Sequence, residues 1–256
     1  AAPNLKVVSR AGVGYDAVDL EATAAAGVPV TITIHANFET VADFTITLML
    51  ALTRRLIPNH ADLSTGTWTR TVGNDFFGQT IGIAGLGRIG RAVAVRARGF
   101  GMPVIAHELY PDDKFVAEHD IRLVDLDTLC READFISLHM PGTPETRHCI
   151  NAERLALMKP TAYLVNTARG ILIDEPALLH APTNGDIAGA GLDVFNVEPI
   201  SESPFFGLPN TIVTPHVAGI SDEANRRMIL DCARNAMAVI SGDWPRDIVV
   251  NGVYSG

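Results

Sequence analysis

The chain is 256 residues long, 47% hydrophobic and 19% charged, with a formal net charge of −9. That length and apolar content suit one large α/β domain, or one domain with a smaller companion. The acidic balance, with no Lys/Arg cluster to offset it, excludes the phosphate contacts of a nucleic-acid binder. No apolar run reaches the roughly 20 residues that a bilayer requires, and the start shows no signal-peptide pattern. Neither nucleic acid nor membrane is therefore an expected partner. Cys130, Cys149 and Cys232 match neither a disulfide framework nor a zinc spacing, which predicts three reduced thiols, no bound metal and a cytoplasmic setting.

Taken in chain order, short β-branched runs alternate with amphipathic stretches, the pattern of a parallel sheet covered by helices on both faces. The predicted fold class is α/β, a doubly wound parallel sheet. Strands are expected over 5–9 and 28–31. A long helix over 39–56 follows, started by Asn37 as cap and stopped before Pro58. The polar segment 60–74 comes next, and Trp68 within it reads as a packing or subunit-contact residue. Further strands are expected over 80–84, 103–107, 134–138, 163–166, 189–193 and 211–214. A final helix over 221–241 carries Ala, Met and Ile at helical spacing and ends at Gly242 and Pro245.

The strand over 80–84 runs directly into Gly85-Leu86-Gly87-Arg88-Ile89-Gly90 and then a helix. In a Gly-x-Gly-x-x-Gly turn the first glycine allows the tight bend, the second lets a pyrophosphate approach the backbone, and the third lets the helix pack on the strand. The helix start adds free N–H groups and a positive dipole end. Glu108 follows the next strand, 18 residues after Gly90, where a carboxylate can accept hydrogen bonds from the adenosine ribose. It would repel the extra phosphate of NADP, and no Arg or Lys lies between it and Lys114, so NAD is the favoured cofactor.

Three later strands each end in a polar group, at the sheet edge where doubly wound folds bind ligands. Asn166-Thr167-Ala168-Arg169-Gly170 delivers an arginine, Asp193-Val194-Phe195-Asn196-Val197-Glu198-Pro199 an acid, and Thr214-Pro215-His216-Val217-Ala218-Gly219 a histidine. Together they supply a fork for a carboxylate, a proton carrier and an acid to tune that carrier.

These three segments, the glycine turn, and Ser9-Arg10-Ala11-Gly12-Val13-Gly14-Tyr15-Asp16 closely resemble the D-isomer-specific 2-hydroxyacid dehydrogenases over essentially the whole chain. The resemblance implies a Rossmann NAD-binding domain over 37–218, with 1–36 as a remnant of a flavodoxin-like substrate domain and 219–256 as the segment returning to it. Members usually carry several dozen residues before the equivalent of Ala1, so much of the substrate domain would lie outside this chain. Carried over by position, Arg169 binds the substrate, His216 is the acid/base and Glu198 stabilises its charged form. Backbone N–H groups of Val13 and Gly14 bind the substrate carboxylate. Arg88 and Ile89 meet the pyrophosphate, alongside Gly85, Gly87 and Gly90, while Glu108 meets the ribose. Thr33, Met140, Thr167, Ala168, Asp193, Ala218 and Gly219 lie nearer the nicotinamide, although Asp193 reads equally well as a strand-end cap and His139 as a structural histidine. The implied substrates are small 2-oxo and 2-hydroxy acids, and the implied assembly is a homodimer through the helix 39–56 and the Trp68 arm. Departures from the family pattern occur at Ile34-His35, at Gly142 where Leu is usual, at Ile171 and at Pro182. A second class resembles the same family: nucleotide-sensing corepressors that bind NAD(H) with negligible turnover.

Overall fold

The computed structural model describes residues 2–244 and 246–254. In chain order the elements are β1 (Val8–Ser9), α1 (Leu20–Ala25), β2 (Val30–Thr31), α2 (Phe38–Thr53) and α3 (Leu56–Ser64). Then come β3 (Ile81–Ala84), α4 (Arg88–Gly99), β4 (Val104–His107), α5 (Asp113–Glu118), β5 (Ile121–Leu123), α6 (Leu126–Glu132) and β6 (Phe135–Leu138). The rest are α7 (Ala152–Leu157), β7 (Tyr163–Asn166), α8 (Glu175–Asn184), β8 (Gly189–Leu192), β9 (Thr211–Val213) and α9 (Asp222–Ser241). Helix starts follow local chemistry. Asp19, Asp112, Asp125, Asn151, Asp174 and Ser221 each accept, through the side chain, a backbone N–H from the first turn of the helix that follows.

The chain divides into two compact units, residues 41–218 and residues 1–40 with 219–256. The larger unit is built on a seven-stranded, fully parallel sheet in the order β5-β4-β3-β6-β7-β8-β9. Strand order reverses between β3 and β6, the switch point at which such sheets bind nucleotides. One face buries Ile136, Leu138 and Leu164 against Leu129, Leu155 and Leu178 of the helices. On the other, Phe135 meets Phe76 edge-on at 4.9 Å and stacks on Tyr163 at 5.3 Å. Strands β3, β6, β7 and β8 are buried at every position, which is why they read as continuous apolar runs rather than alternating ones.

The smaller unit pairs β1 with β2 in parallel. Ile32, Ile34 and Ile248 form its small core, joined by Val13 and Val250. Helix α9 is tied to the early residues: Ser9 Oγ donates to the Cys232 carbonyl at 2.8 Å, and Arg227 Nε to the Ala36 carbonyl at 2.7 Å. Gly242 closes α9 in the left-handed region, φ 84°; Pro245, expected to help end it, lies outside the described residues.

Several expectations need correction. The helix expected over 39–56 is α2 and ends early, at Thr53; Arg55 then adopts a left-handed conformation, φ 54°, and a separate helix, α3, starts at Leu56. Pro58 does not stop a helix; it sits in the first turn of α3, where a missing N–H costs nothing. Asn37 does not cap α2, since its Oδ1 is buried without a hydrogen-bond partner. Part of the supposed polar segment 60–74 is α3, and β5, an edge strand with two of its three residues exposed, went unpredicted. Cys130 and Cys149 are buried free thiols that burial pushes up to about 12 and about 11, so both stay protonated and unreactive at neutral pH.

Candidate active site

The glycine turn follows β3 at the switch point. Gly85 has φ 97°, and a Cβ there would lie 2.7 Å from the His139 carbonyl carbon just beyond β6. A Cβ on Gly90 would strike the Gly85 carbonyl oxygen at 2.1 Å, so the third glycine is what allows α4 to sit against the turn. Gly87 faces open space, with nothing within 4 Å of the Cβ it lacks, and it starts α4 without any side-chain cap. First-turn N–H groups of α4 thus border open space at Gly87, which fits a dinucleotide pyrophosphate. Arg88 and Ile89 begin this helix, Arg88 exposed and Ile89 half-buried. The Glu108 carboxylate reaches into the turn, accepting Leu86 N–H at 2.7 Å and Tyr110 N–H at 3.0 Å. Arg91, whose spacing in the motif carries no signal of its role, also fixes the turn: its Nε donates to the Leu86 carbonyl at 3.0 Å and its Nη1 pairs with Asp112 at 2.9 Å.

The arginine, acid and histidine stand at the ends of β7, β8 and β9, three adjacent strands. Asn166, buried at the end of β7, shapes the first tip by accepting Ala168 N–H at 3.0 Å and donating to the Arg169 carbonyl at 2.8 Å. A polar residue closing a buried apolar strand is the sequence signal that marks it. Gly170 then lies so close to the second tip that a Cβ would come within 2.0 Å of the Phe195 carbonyl carbon. Glu198 Oε1 accepts Phe195 N–H at 2.8 Å, and its Oε2 lies 2.6 Å from His216 Nδ1. His216 has φ 54°, uncommon outside glycine. Asp193 holds it there. Fully buried, Asp193 accepts the Thr214 hydroxyl at 2.6 Å, Val217 N–H at 2.9 Å and Ala218 N–H at 2.8 Å, while its main-chain carbonyl accepts His216 N–H at 2.8 Å.

The groups expected near the nicotinamide, and Val13 and Gly14 expected at the substrate carboxylate, belong to both units. Thr167 bonds the Thr45 hydroxyl of α2 at 2.9 Å, and Met140 packs partly buried against the core. Thr33, Val13, Gly14 and Gly219 belong to the smaller unit. There Thr33 Oγ1 accepts Gly12 N–H at 2.8 Å, and the Gly12 carbonyl accepts Thr33 N–H at 3.0 Å, closing the early loop that carries Val13 and Gly14.

His139 is a half-buried histidine just beyond β6. Its Nε2 lies 2.7 Å from Ser137 Oγ, its Nδ1 is buried without a partner, and desolvation pushes its imidazole down to about 3. The fold holds this ring neutral, whereas an unfolded histidine protonates near 6.5. Its contribution is therefore present above about pH 6.5 and is lost as pH falls towards 3, by up to about 1.4 kcal/mol per pH unit. Urea midpoints are expected to drop between pH 7 and pH 4, and His139→Gln to flatten that dependence.

The parallel sheet, the switch point and the glycine cradle together define a dinucleotide-binding α/β domain. Residues 46–218 match the NAD-binding domain of the D-isomer specific 2-hydroxyacid dehydrogenases, and the chain belongs to that family. It is 43% identical over 251 residues to a D-3-phosphoglycerate dehydrogenase of Mycobacterium tuberculosis, spanning 97% of this chain and 48% of that protein. It is 42% identical over 256 residues to a glyoxylate reductase of Korarchaeum cryptofilum, spanning 97% of this chain and 77% of that one. Among solved structures, the D-lactate dehydrogenase of Aquifex aeolicus, complexed with NAD and lactic acid, matches with a TM-score of 0.89 and 32% identity, over 98% of this chain and 81% of that chain. The chain thus spans about half the length of the phosphoglycerate dehydrogenases it matches. Among the described residues no helix is long and apolar enough to cross a membrane.

Proposed function

We propose that this chain carries the cofactor site and the acid–base centre of an NAD-dependent 2-hydroxyacid dehydrogenase, interconverting a D-2-hydroxy acid and its 2-oxo acid. The observation that carries the reading is the 2.6 Å contact between His216 Nδ1 and Glu198, on strand tips next to the one that bears Arg169. With Nδ1–H committed to Glu198, Nε2 is the nitrogen that gives a proton to the carbonyl oxygen in reduction and takes it back in oxidation. The Glu198 carboxylate holds the imidazole in the orientation from which that proton leaves. Arg169 holds the substrate carboxylate through a two-pronged contact and polarises the carbonyl, a geometry lysine does not reproduce. First-turn N–H groups of α4 with Arg88 and Ile89 hold the pyrophosphate, and Glu108 holds the adenosine ribose. When bound, NADH supplies the hydride.

The working assembly is a homodimer in the cytoplasm. Apolar side chains left exposed on α3 and the arm after it, Leu56, Ile57, Leu63, Trp68 and Val72, support that assembly. Helix α2, also expected to contribute, buries nine of its sixteen side chains in the fold.

The test is a panel of glyoxylate, hydroxypyruvate, pyruvate and phosphohydroxypyruvate with NADH and with NADPH, on the full-length protein. Reduction of at least one acid is expected, with NADH favoured about tenfold or more because Glu108 repels the additional phosphate. A preparation that binds NADH but oxidises neither nucleotide with any of the acids would overturn the reading in favour of a nucleotide-sensing role.

A further inference from the structure

We propose that Gly142 and Ile171 form a size-matched seat for the aliphatic stem of Arg169 and so set where its guanidinium meets the substrate carboxylate. This rests on the reading of Arg169 as the substrate-binding group. Gly142 follows β6, and a Cβ on it would lie 2.9 Å from Ile171 Cγ2, 3.1 Å from Arg169 Cγ and 3.2 Å from Arg169 Cβ. Its nearest neighbours are thus the stem of Arg169 and a methyl of Ile171. The two departures from the family pattern at 142 and 171 are therefore a single feature, in which the volume that position 142 lacks is supplied from position 171.

The backbone of Arg169 has little room to retreat. Asn166 holds the turn through both ends of its amide, and Gly170 is pressed against the main chain of Phe195 and Asn196. Ile171 is β-branched and stiff at χ1, so its methyl does not yield by an easy rotamer change. A side chain introduced at 142 must therefore be accommodated mainly by the Arg169 side chain. A displacement at its Cγ is amplified along the remaining torsions to the guanidinium, where misplacement of about 1 Å can cost about 100-fold in rate. Gly142 and Ile171 are positioning residues.

The experiment compares Gly142→Ala, Gly142→Leu, Ile171→Gly and the double variant Gly142→Leu/Ile171→Gly in the full-length protein. It reads kcat and KM for the best 2-oxo acid, the NADH Kd by fluorescence, and crystal structures of the parent, Gly142→Leu and the double variant. Gly142→Ala is expected to raise KM about fivefold, and Gly142→Leu to lower kcat/KM about 100-fold, with NADH affinity unchanged. The double variant should regain at least about tenfold, because the space vacated at 171 receives the new side chain. A merely structural defect would instead weaken NADH binding and show no such rescue. If Gly142→Leu does not fold, Gly142→Ala and Ile171→Gly still decide the matter, each expected to raise KM and neither to alter NADH affinity. Unchanged kinetics in all variants, a double variant no better than Gly142→Leu, or an Arg169 side chain unmoved in the Gly142→Leu crystal structure would overturn the proposal. Arg169→Gln separates the two levels: if it leaves KM unchanged, the reading of Arg169 fails, while the crystal structures still show whether the seat exists.

Discussion

Replacing His216 with Asn is expected to lower kcat for 2-oxo acid reduction by about 1,000-fold while NADH binding persists. Asn is the informative substitute because position 216 has φ 54°, a conformation that Asn tolerates and most side chains do not. The variant therefore removes the proton carrier without adding backbone strain, and its amide can still donate to Glu198. Nothing in the glycine cradle is touched, so NADH fluorescence titration should give an unaltered Kd. Glu198→Gln alone should cost less, since the imidazole remains, and Glu198→Gln combined with His216→Asn should cost little more than His216→Asn. A His216→Asn enzyme within tenfold of the parent would remove His216 from the chemistry.

Asp193→Asn is expected to destabilise the protein by about 2 kcal/mol and to lower kcat about 30-fold. The carboxylate accepts three hydrogen bonds, from the Thr214 hydroxyl and the N–H groups of Val217 and Ala218. An amide of the same shape has one acceptor oxygen and sets an NH2 group against a backbone donor. The Ala218 or the Val217 N–H is then left without an acceptor, and Asp193 is fully buried, so water does not replace the lost bond. The turn that relaxes carries His216 at its centre. Asp193 thus acts on the reaction through His216, and adding Asp193→Asn to His216→Asn should leave kcat where the single His216 variant has it, while the urea midpoint still falls. Additive losses in kcat would mean that Asp193 has a separate role in turnover.

The elements that could be read from sequence are those whose cause is local. Strands β3, β6, β7 and β8 are buried on both faces and so appear as continuous apolar runs, and the glycine turn carries its own steric logic in Gly85 and Gly90. Helix α9 announces itself by Ser221 at one end and Gly242 at the other. Legibility failed where the deciding contact is remote. The break between α2 and α3 depends on the left-handed Arg55, whose guanidinium bonds Asn210 far along the chain, and β5 is defined by its pairing with β4 rather than by its own pattern. Within the candidate site, Arg169, Glu198 and His216 are recognisable one at a time, because each ends an apolar strand with a group capable of chemistry. Their alignment requires β7, β8 and β9 to be neighbours in the sheet, and the rigidity of the His216 turn requires the buried Asp193 carboxylate from the adjacent strand. The seat of Gly142 and Ile171 under Arg169 is of the same kind: three residues from two separate segments, whose sizes acquire meaning only when packing brings them into contact.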